Sequence, residues 1–492
     1  MPCSKDTDMR MRRKILLIRT FQNVGLGGPL PPLELLYLAS AIQRSFGSSY
    51  EIDIMDTGPD NLQAGEIREK IRDFSPHIVI LQSLIWEAGW AHTIAAIVKG
   101  LNSRVVIIAQ GQLPSLVKEY LLYDRNIDYA ILGEAEVTLV ELLGCLEGNS
   151  DLAVVNGIAY RKGTTPQATP PRRYCKDLDQ LTISETVWDL IDIWRYSECR
   201  GWSGSLKERF YIPILTSRGC PFSCTYCYYR EVMGSEFRGR SPESVLAEIN
   251  FLRDRYQVKE LHIFDAVFNF DTERAKKICR LIIDSSSPLS LAFPYGLRID
   301  LMDEELIRLL RASGTYKIVY GIETAVPRLQ SLIGKDLGIV EIRDVISKTA
   351  QSGIIVGGYF MLGFPTETYD EMRQTVRFAV DSDLDVASFF KVTRFDDIIS
   401  HYRSQFSLDQ KQSETAFDFQ DYSYYSAKQS DAEVSVQELN SVLLEAQQEF
   451  YLQRNRFWRG LRKSPHKISY LKNFMSACGL LLQSYLLRRA LR

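Results

Sequence analysis

Two runs of alternating strand-like and helix-like segments constrain this chain more than any other feature of its sequence. In the first run, amphipathic stretches with helical spacing separate five short apolar stretches that are typical of buried strands: 14–19, 50–56, 77–83, 104–111 and 128–134. Strands joined by short helical crossovers predict a doubly wound parallel sheet, which binds ligands beyond the carboxyl ends of its strands.

The second run contains six further strand–helix units. Its apolar strand segments are 211–219, 261–268, 289–299, 317–324, 354–364 and 386–395. Helical stretches follow them; the one at 241–256 begins with Ser before Pro, and residues 368–371 have the Thr-x-x-Glu pattern of a capping box. Six consecutive units predict a parallel barrel, complete or partial, whose chemistry lies at the carboxyl ends of the strands.

These runs divide the chain into four parts. We expect a Rossmann-like domain over 14–147, a polar, Pro-rich surface linker over 148–209, a barrel over 210–400, and a mostly helical region over 401–492. In the last part, 436–461 has the pattern of one long helix, and Tyr422, Tyr424 and Tyr425 are candidates either for closing a substrate pocket or for packing. The amphipathic tail from residue 470 is predicted to pack on the barrel, with a membrane-surface or partner-binding helix as the alternative.

The charge balance and hydropathy exclude some classes of function. The chain has 59 Lys or Arg and 61 Asp or Glu among 492 residues, and its net charge of −2 argues against a general nucleic-acid-binding role. No apolar run reaches the roughly 20 residues that span a bilayer. The basic start leads directly into the first strand without the longer apolar region of a signal peptide, so we expect a cytoplasmic protein.

Three of the nine cysteines are crowded together directly after the first strand of the second run. Cys220, Cys224 and Cys227 have the spacing C-x3-C-x2-C, and three thiolates on one loop can ligate three irons of a cubane while the fourth iron stays open. An open metal position indicates chemistry rather than scaffolding. A structural zinc site, an electron-transfer cluster and thiols unrelated to metal are the alternatives. The first two need a fourth ligand, and the next histidine, His262, lies on a later strand.

In this strand–loop context the cysteine motif resembles that of radical S-adenosylmethionine (SAM) enzymes. The resemblance implies a [4Fe–4S] cluster whose open iron binds SAM, and an external electron donor of the flavodoxin or ferredoxin type. It also implies cofactor contacts in barrel order: Tyr226 between the last two cysteines, Asp265 after the second strand, Arg298 in the third-strand region, Glu323 of the YGIET motif, and Gly363 of the GYFMLGFPTET motif. For Arg298 the alternative is a barrel-mouth ion pair.

The N-terminal domain ahead of such a barrel resembles the cobalamin-binding class of these enzymes. The similar stretches are GGPLPPLELLYLASAI (27–42), LQSLIWEAGWAH (81–92), ILGEAEVTLVELL (131–143) and SETVWDLIDIWRY (184–196). This resemblance implies a cobalamin with Gln110, Gly111, Gly133 and Glu134 as candidate contacts. The Asp-x-His-x-x-Gly loop of cobalamin mutases, whose His ligates cobalt, is absent from the sequence, and His92 is not predicted to replace it.

The two resemblances together imply a cobalamin-dependent radical SAM enzyme that methylates an unactivated carbon of a small molecule. In that chemistry a 5′-deoxyadenosyl radical abstracts a hydrogen atom from the substrate, and methylcobalamin gives its methyl group to the carbon radical. Two alternatives stay open. One is the same cofactors used without methyl transfer, for cyclisation, rearrangement, dehydration or oxidation; the other is a non-catalytic cobalamin or redox sensor.

Overall fold

A computed structural model shows two parallel sheets in the order that the sequence predicts. The structure describes residues 12–20, 30–148, 150–196, 206–208, 210–285, 288–393, 395–405, 427, 430–464, 466–468, 470–471 and 475. Tyr422, Tyr424, Tyr425 and most of the amphipathic tail lie outside these residues. Within the described ranges, no helix is both long enough and apolar enough to cross a membrane.

The first sheet has seven strands, of which the first five are parallel. Its strands are β1 (Arg13–Arg19), β2 (Tyr50–Asp56), β3 (Ile78–Gln82), β4 (Val106–Gln110), β5 (Tyr129–Ile131), β6 (Ile158–Lys162) and β7 (Thr165–Ala168), in the order β2-β1-β3-β4-β5-β6-β7. The helices between the parallel strands, and after β5, are α1 (Leu33–Phe46), α2 (Ala64–Phe74), α3 (Ala88–Leu101), α4 (Gln112–Val117) and α5 (Glu136–Gly148). Alternate β1 residues enter different cores, Ile15 and Leu17 one and Leu16 and Ile18 the other, so both faces are covered and the doubly wound sheet is confirmed.

Two strands lie in the segment that the sequence predicts as a surface linker. The antiparallel pair β6 and β7 extends the first sheet beside β5, so the linker prediction is wrong for these residues. The Pro- and Thr-rich composition obscured the strand pattern, and Pro166 is tolerated because β7 is an edge strand. Further along, Ser184 N donates to Ser40 Oγ (2.8 Å) and Tyr196 Oη donates to Asp56 (2.7 Å), which ties the connection to the first domain.

The second sheet is an open barrel of six parallel strands. The strands after β7 are β8 (Ile212–Ile214), β9 (Ser217–Arg218), β10 (Arg238–Gly239), β11 (Glu260–Ile263), β12 (Ser290–Leu297), β13 (Thr315–Glu323), β14 (Ile355–Leu362) and β15 (Val386–Lys391). Six of them lie in the order β15-β14-β13-β12-β11-β8, while β9 and β10 form a separate antiparallel pair. Because β8 and β15 are the two edges, the barrel is partial.

Within the described residues, ten α-helices lie between and after the strands of this barrel. They are α6 (Tyr229–Met233), α7 (Pro242–Tyr256), α8 (Thr272–Asp284), α9 (Glu304–Ala312), α10 (Pro327–Leu332), α11 (Ile339–Gln351), α12 (Tyr369–Asp381), α13 (Phe395–Gln405), α14 (Val436–Tyr451) and α15 (Arg454–Lys463). The capping box at Thr368 and the Ser-Pro start of α7 are both present. The predicted order of a Rossmann-like domain, a partial parallel barrel and a helical region is confirmed.

The prediction of a single long helix over 436–461 is wrong, because the helix is interrupted at Leu452 and Gln453, between α14 and α15. The break lets Arg456 turn inward, where its guanidinium donates to the carbonyls of Phe450 (2.9 Å) and Val380 (3.0 Å). Basic side chains commonly satisfy the last carbonyls of helices in this way. The interruption is therefore set by a tertiary contact, which helical periodicity does not reveal.

A buried carboxylate closes the amino-terminal end of the barrel. Glu260 is 0% exposed, and its oxygens accept hydrogen bonds from Tyr316 Oη (2.6 Å), His262 Nε2 (2.7 Å) and the amides of Lys207 (2.9 Å) and Glu208 (2.6 Å). Burial lowers the pKa of Lys317 to about 8, while the charge of Glu260 acts in the opposite direction. One carboxylate thus joins the segment before the barrel to β11 and β13.

We expect Glu260→Gln to destabilise the barrel by about 3 kcal/mol or more, since it removes the charge that buried donors and Lys317 depend on. Thermal unfolding of the cofactor-free chain measures the effect. Glu69→Gln, at an exposed position of α2, is the matched control and should change stability by less than about 0.5 kcal/mol. Equal melting temperatures for both variants would show that Glu260 does not stabilise the amino-terminal end of the barrel.

Candidate active site

The cysteine loop is held between the two short strands β9 and β10. Gly219 starts the loop with φ 78°, and a Cβ atom there would lie 1.9 Å from the Glu236 carbonyl oxygen, so only glycine fits. Inside the loop, Cys220 N donates to Gly234 O (3.1 Å), and Thr225 N donates to Ile333 O (3.0 Å). These bonds place the three thiols beyond the carboxyl end of β8.

The three thiols of the loop differ in exposure. Cys220 and Cys224 are half-buried and Cys227 is exposed, beside a cleft of about 470 Å³. Burial raises the pKa of the Cys220 thiol, and the nearby Cys224 adds to the rise. In the part of the chain that the structure describes, no three His, Cys, Asp or Glu side chains converge as ligands of one metal ion would. Three cysteine thiols on one loop are the donor set that binds a [4Fe–4S] cluster, so the residues present fit this group.

A lysine joins two of the predicted cofactor contacts. Lys335, in the turn between α10 and α11, donates from Nζ to Glu323 Oε1 (2.9 Å), to the Gly321 carbonyl (2.7 Å) and, at 3.5 Å, to Tyr226 Oη. Burial raises the pKa of Tyr226 well above its usual value, and the charge of Glu323 adds to the rise, so the phenol stays neutral. Tyr226 and Glu323 are thus brought together at the carboxyl end of the barrel.

The backbone of Glu323 is strained. Its φ of 68° lies in the left-handed region, and the pairing of β13 with β14 shifts between Gly321 and Glu323. Strain of this kind persists where the surroundings over-determine a residue, and it clusters at functional sites. The ligand role of Glu323 stays a prediction, which this conformation supports.

Arg298 packs against the cysteine loop. Its guanidinium lies 3.6 Å from the ring centre of Phe222, pairs with Asp300 (2.8 Å) and donates to the Lys335 carbonyl (3.1 Å). The ion pair that the sequence left as an alternative is therefore present, beside the site. A cofactor contact by Arg298 stays a prediction.

Asp265 is fully buried beside the segment that leads into the cysteine loop. Its carboxylate accepts hydrogen bonds of 2.6 Å from Thr216 N, Thr216 Oγ1 and Ser217 Oγ. These contacts give Asp265 a positioning role, since they fix the strand that leads into the loop. Its predicted contact with the cofactor stays a prediction.

A glutamate within the fifth-strand motif accepts hydrogen bonds from the backbone of the same motif. Glu367 Oε2 accepts from the amides of Gly363 (2.6 Å) and Phe364 (2.9 Å), while burial raises the pKa of Glu367 to about 7. Phe364 in turn packs with Val326, Ile333 and the ring of Tyr226, 6.4 Å away. An apolar layer therefore lies where the motif predicts adenine, although the contact from Gly363 itself stays a prediction.

The carboxyl edge of the first sheet carries buried side-chain atoms that lack a hydrogen-bond partner. They are Gln82 Oε1, Ser83 Oγ, Gln110 Nε2 and Gln112 Nε2. Gln82 and Gln110 are paired in register at the ends of β3 and β4, and Gly111 turns the chain there with φ 104°. Because unpaired buried polar atoms are costly, they indicate a polar ligand. The carboxamide groups around a corrin ring would satisfy them, so these residues fit cobalamin.

Gly133 and Glu134, the two other predicted cobalamin contacts on this edge, have hydrogen-bond partners in different domains. Gly133 N donates to Ser115 Oγ (3.0 Å), next to the unpaired side chains. The carboxylate of Glu134 instead accepts two hydrogen bonds from Arg238 of the barrel (2.6 and 2.9 Å). Both cofactor contacts stay predictions, and the side chain of Glu134 has a partner in the other domain.

His92 has partners within the protein on both ring nitrogens. Nδ1 lies 2.7 Å from Asp124 Oδ2 and Nε2 lies 3.0 Å from Tyr402 Oη, which joins α3 to α13. This supports the expectation that His92 is not a cobalt ligand.

Comparison with known proteins assigns both halves of the chain. Residues 23–143 match the model of the B12 binding domain, and residues 214–379 match that of the radical SAM superfamily. The chain belongs to the radical SAM superfamily and carries an N-terminal B12-binding domain. The predicted enzyme class is confirmed, and so are its cofactors, a [4Fe–4S] cluster, SAM and cobalamin.

Individual relatives match this chain over most of its length. An uncharacterized methyltransferase of Pyrococcus horikoshii is 29% identical over a match that covers 76% of this chain and 77% of the methyltransferase. An anaerobic magnesium-protoporphyrin IX monomethyl ester cyclase of Rubrivivax gelatinosus is 24% identical over 81% of this chain and 70% of its own. Among solved structures, the radical SAM methyltransferase TsrM of Kitasatospora setae, with cobalamin and a [4Fe–4S] cluster bound, has a TM-score of 0.64 and 20% identity over 77% of this chain and 72% of its own. The TsrM likeness shows the shared fold.

Sequence analysis missed Lys335 and the buried atoms Gln82 Oε1 and Gln112 Nε2, which have no hydrogen-bond partner. A lysine after a glycine in a short turn has the pattern of a solvated loop residue, and neither glutamine belongs to a spaced motif. Only the folded chain brings Lys335 to Glu323, which makes it a candidate for positioning the SAM contacts.

We expect Lys335→Met to assemble the cluster normally but to bind SAM about tenfold more weakly, a change of about 1.4 kcal/mol, because Glu323 and Tyr226 lose the group that orients them. Equilibrium dialysis of the reconstituted protein against SAM measures the affinity, and visible absorbance measures the cluster. Lys348→Met, at a half-exposed position of α11, is the control. Equal SAM affinity in both variants would exclude a positioning role for Lys335.

Proposed function

We propose that this chain is a cobalamin-dependent radical SAM methyltransferase that methylates an unactivated carbon of a small molecule. The observation that carries the proposal is the adjacency of two sites at the carboxyl ends of two parallel sheets. One site has three cluster thiols and the other has unpaired amides that suit a corrin. The similarity to the Pyrococcus horikoshii methyltransferase supports the transfer of a methyl group.

The chain's own residues bind the cofactors, orient them and keep water out of the site. Three cysteines hold a cluster with one open iron, and Lys335 fixes Glu323 beside it. The apolar layer around Phe364 keeps water away from the nucleoside, which protects a reactive radical. Cys220, Cys224 and Cys227 would hold a cluster that would supply the electron for cleavage of SAM. The sheet edge with Gln82 and Gln110 would hold a cobalamin that would supply the electron pair for methyl transfer from a second SAM, with S-adenosylhomocysteine as the leaving group.

A second candidate keeps both cofactors but transfers no methyl group. The similarity to the Rubrivivax gelatinosus cyclase favours it, since that protein is named for a ring closure. Both candidates generate 5′-deoxyadenosine through radical chemistry. Only the methyltransferase also generates S-adenosylhomocysteine, because it transfers a methyl group from SAM to cobalamin.

The experiment is anaerobic incubation of the reconstituted, reduced holoprotein with SAM that carries a trideuterated methyl group. We expect both 5′-deoxyadenosine and S-adenosylhomocysteine, and a trideuteromethyl group on the cobalamin. Protein reconstituted with the cluster but without cobalamin is the control, and it should give 5′-deoxyadenosine alone. If the holoprotein gives no S-adenosylhomocysteine, the methyl-transfer proposal is wrong; if it gives neither product, a sensor function takes its place.

A further inference from the structure

Four buried charged side chains join the cysteine loop to the first domain. We name them the arginine clamp: Glu134, Glu136, Arg218 and Arg238. The two glutamates follow β5 directly, whereas the two arginines face each other on β9 and β10, at the two ends of the cysteine loop. Both ends of the loop are therefore tied to one short segment of the B12-binding domain.

The contacts within the clamp are short and mutually oriented. Arg238 donates from both terminal nitrogens to Glu134 (2.6 and 2.9 Å), and Arg218 donates to Glu136 (2.6 Å) with Glu134 at 3.7 Å. Two-pronged pairing of a guanidinium with a carboxylate fixes direction as well as distance. The clamp therefore resists rotation of one domain against the other, which a single point contact would allow.

Burial makes these contacts rigid. The four side chains are between 3% and 7% exposed, and the rings of Tyr37 and Tyr174 lie 4.8 and 4.9 Å from the guanidinium carbons of Arg218 and Arg238. Burial opposes the charge of Glu136, yet Arg218 outweighs it and lowers the pKa of that carboxyl. Two positive and two negative charges balance, and removing one would leave an uncompensated charge out of water.

The clamp lies between the two cofactor sites. On the barrel side, Arg218 is two residues from Cys220, and Arg238 also donates to the Met233 carbonyl (2.8 Å) at the end of the loop helix α6. On the other side, Glu134 follows Gly133 at the edge that carries Gln110. Movement at the clamp would therefore change the separation of the cluster from the corrin.

We propose that the arginine clamp sets the distance and orientation of the [4Fe–4S] cluster relative to cobalamin. The four residues are positioning residues, since they act through the loop and the sheet edge rather than by touching the reacting atoms. The consequence for methyl transfer rests on the function proposed above, whereas the consequence for the distance between the metals does not.

The test compares Arg238→Met with Arg240→Met in holoprotein that holds both cofactors. Arg240 is an equally buried arginine two residues away, but its partner Glu248 belongs to the barrel, so its loss leaves the domain contact intact. Pulsed electron paramagnetic resonance measures the distance distribution between the reduced cluster and cob(II)alamin. We expect a broader or shifted distribution in Arg238→Met and the wild-type distribution in Arg240→Met.

A second readout separates positioning from general loss of structure. In Arg238→Met we expect S-adenosylhomocysteine formation to fall at least tenfold while 5′-deoxyadenosine formation stays within twofold of wild type, and Arg238→Lys to recover only part of the loss because it lacks the two-pronged geometry. If Arg238→Met loses a cofactor, Glu136→Gln replaces it in both assays. An unchanged distance distribution in a clamp variant overturns the proposal. If wild type forms no S-adenosylhomocysteine, the proposed function fails, and the distance measurement still decides the clamp.

Discussion

Buried pairing between the two arginines that flank the cysteine loop and the two glutamates after β5 is the contact on which the arrangement of this enzyme depends. Each sheet by itself ends in a rim of polar side chains, as parallel sheets with helical crossovers generally do. In the arrangement that we propose, the hydrogen bonds from Arg238 to Glu134 hold the cluster site of the barrel beside the cobalamin site of the first sheet. The contact of His92 with Tyr402 of α13 is a second link between the first domain and a later segment of the chain.

Three buried charged groups that position the barrel and its mouth each have several hydrogen-bond partners. Glu260 at the floor of the barrel has four donors, Asp265 behind the cysteine strand has three, and Lys335 at the mouth has a carboxylate and a carbonyl. Buried pairs of this kind add little net stability but specify one geometry, because any other arrangement leaves a charge uncompensated. Buried side-chain atoms without a hydrogen-bond partner occur at several places among the described residues, but four of them, on Gln82, Ser83, Gln110 and Gln112, are grouped at the carboxyl edge of the first sheet. This grouping supports a ligand at that edge.

Patterns within short stretches of the sequence predicted the strands, the helix caps and the cysteine loop. Strand periodicity and helix caps predicted two parallel sheets in the right order, and the spacing of Cys220, Cys224 and Cys227 predicted the cluster loop. Local patterns do not predict contacts between distant positions: the resemblance marked Glu134 as a candidate cobalamin contact, but its pairing with Arg238, 104 residues away, appears only in the folded chain. The hairpin of β6 and β7 was missed because Pro and Thr hid its alternation, and the break before α15 because Arg456 finds its carbonyls only after folding.

The central claim is that one chain holds a cluster and a cobalamin in adjacent but separate sites. Iron and cobalt content of anaerobically reconstituted wild type and Cys224→Ala tests it most directly, with Cys145→Ala as the control cysteine outside the loop. The account predicts about four irons and about one cobalt per chain in wild type and in Cys145→Ala, and the loss of iron with retention of cobalt in Cys224→Ala. Absence of cobalt from wild type, or its loss together with iron in Cys224→Ala, would contradict the account.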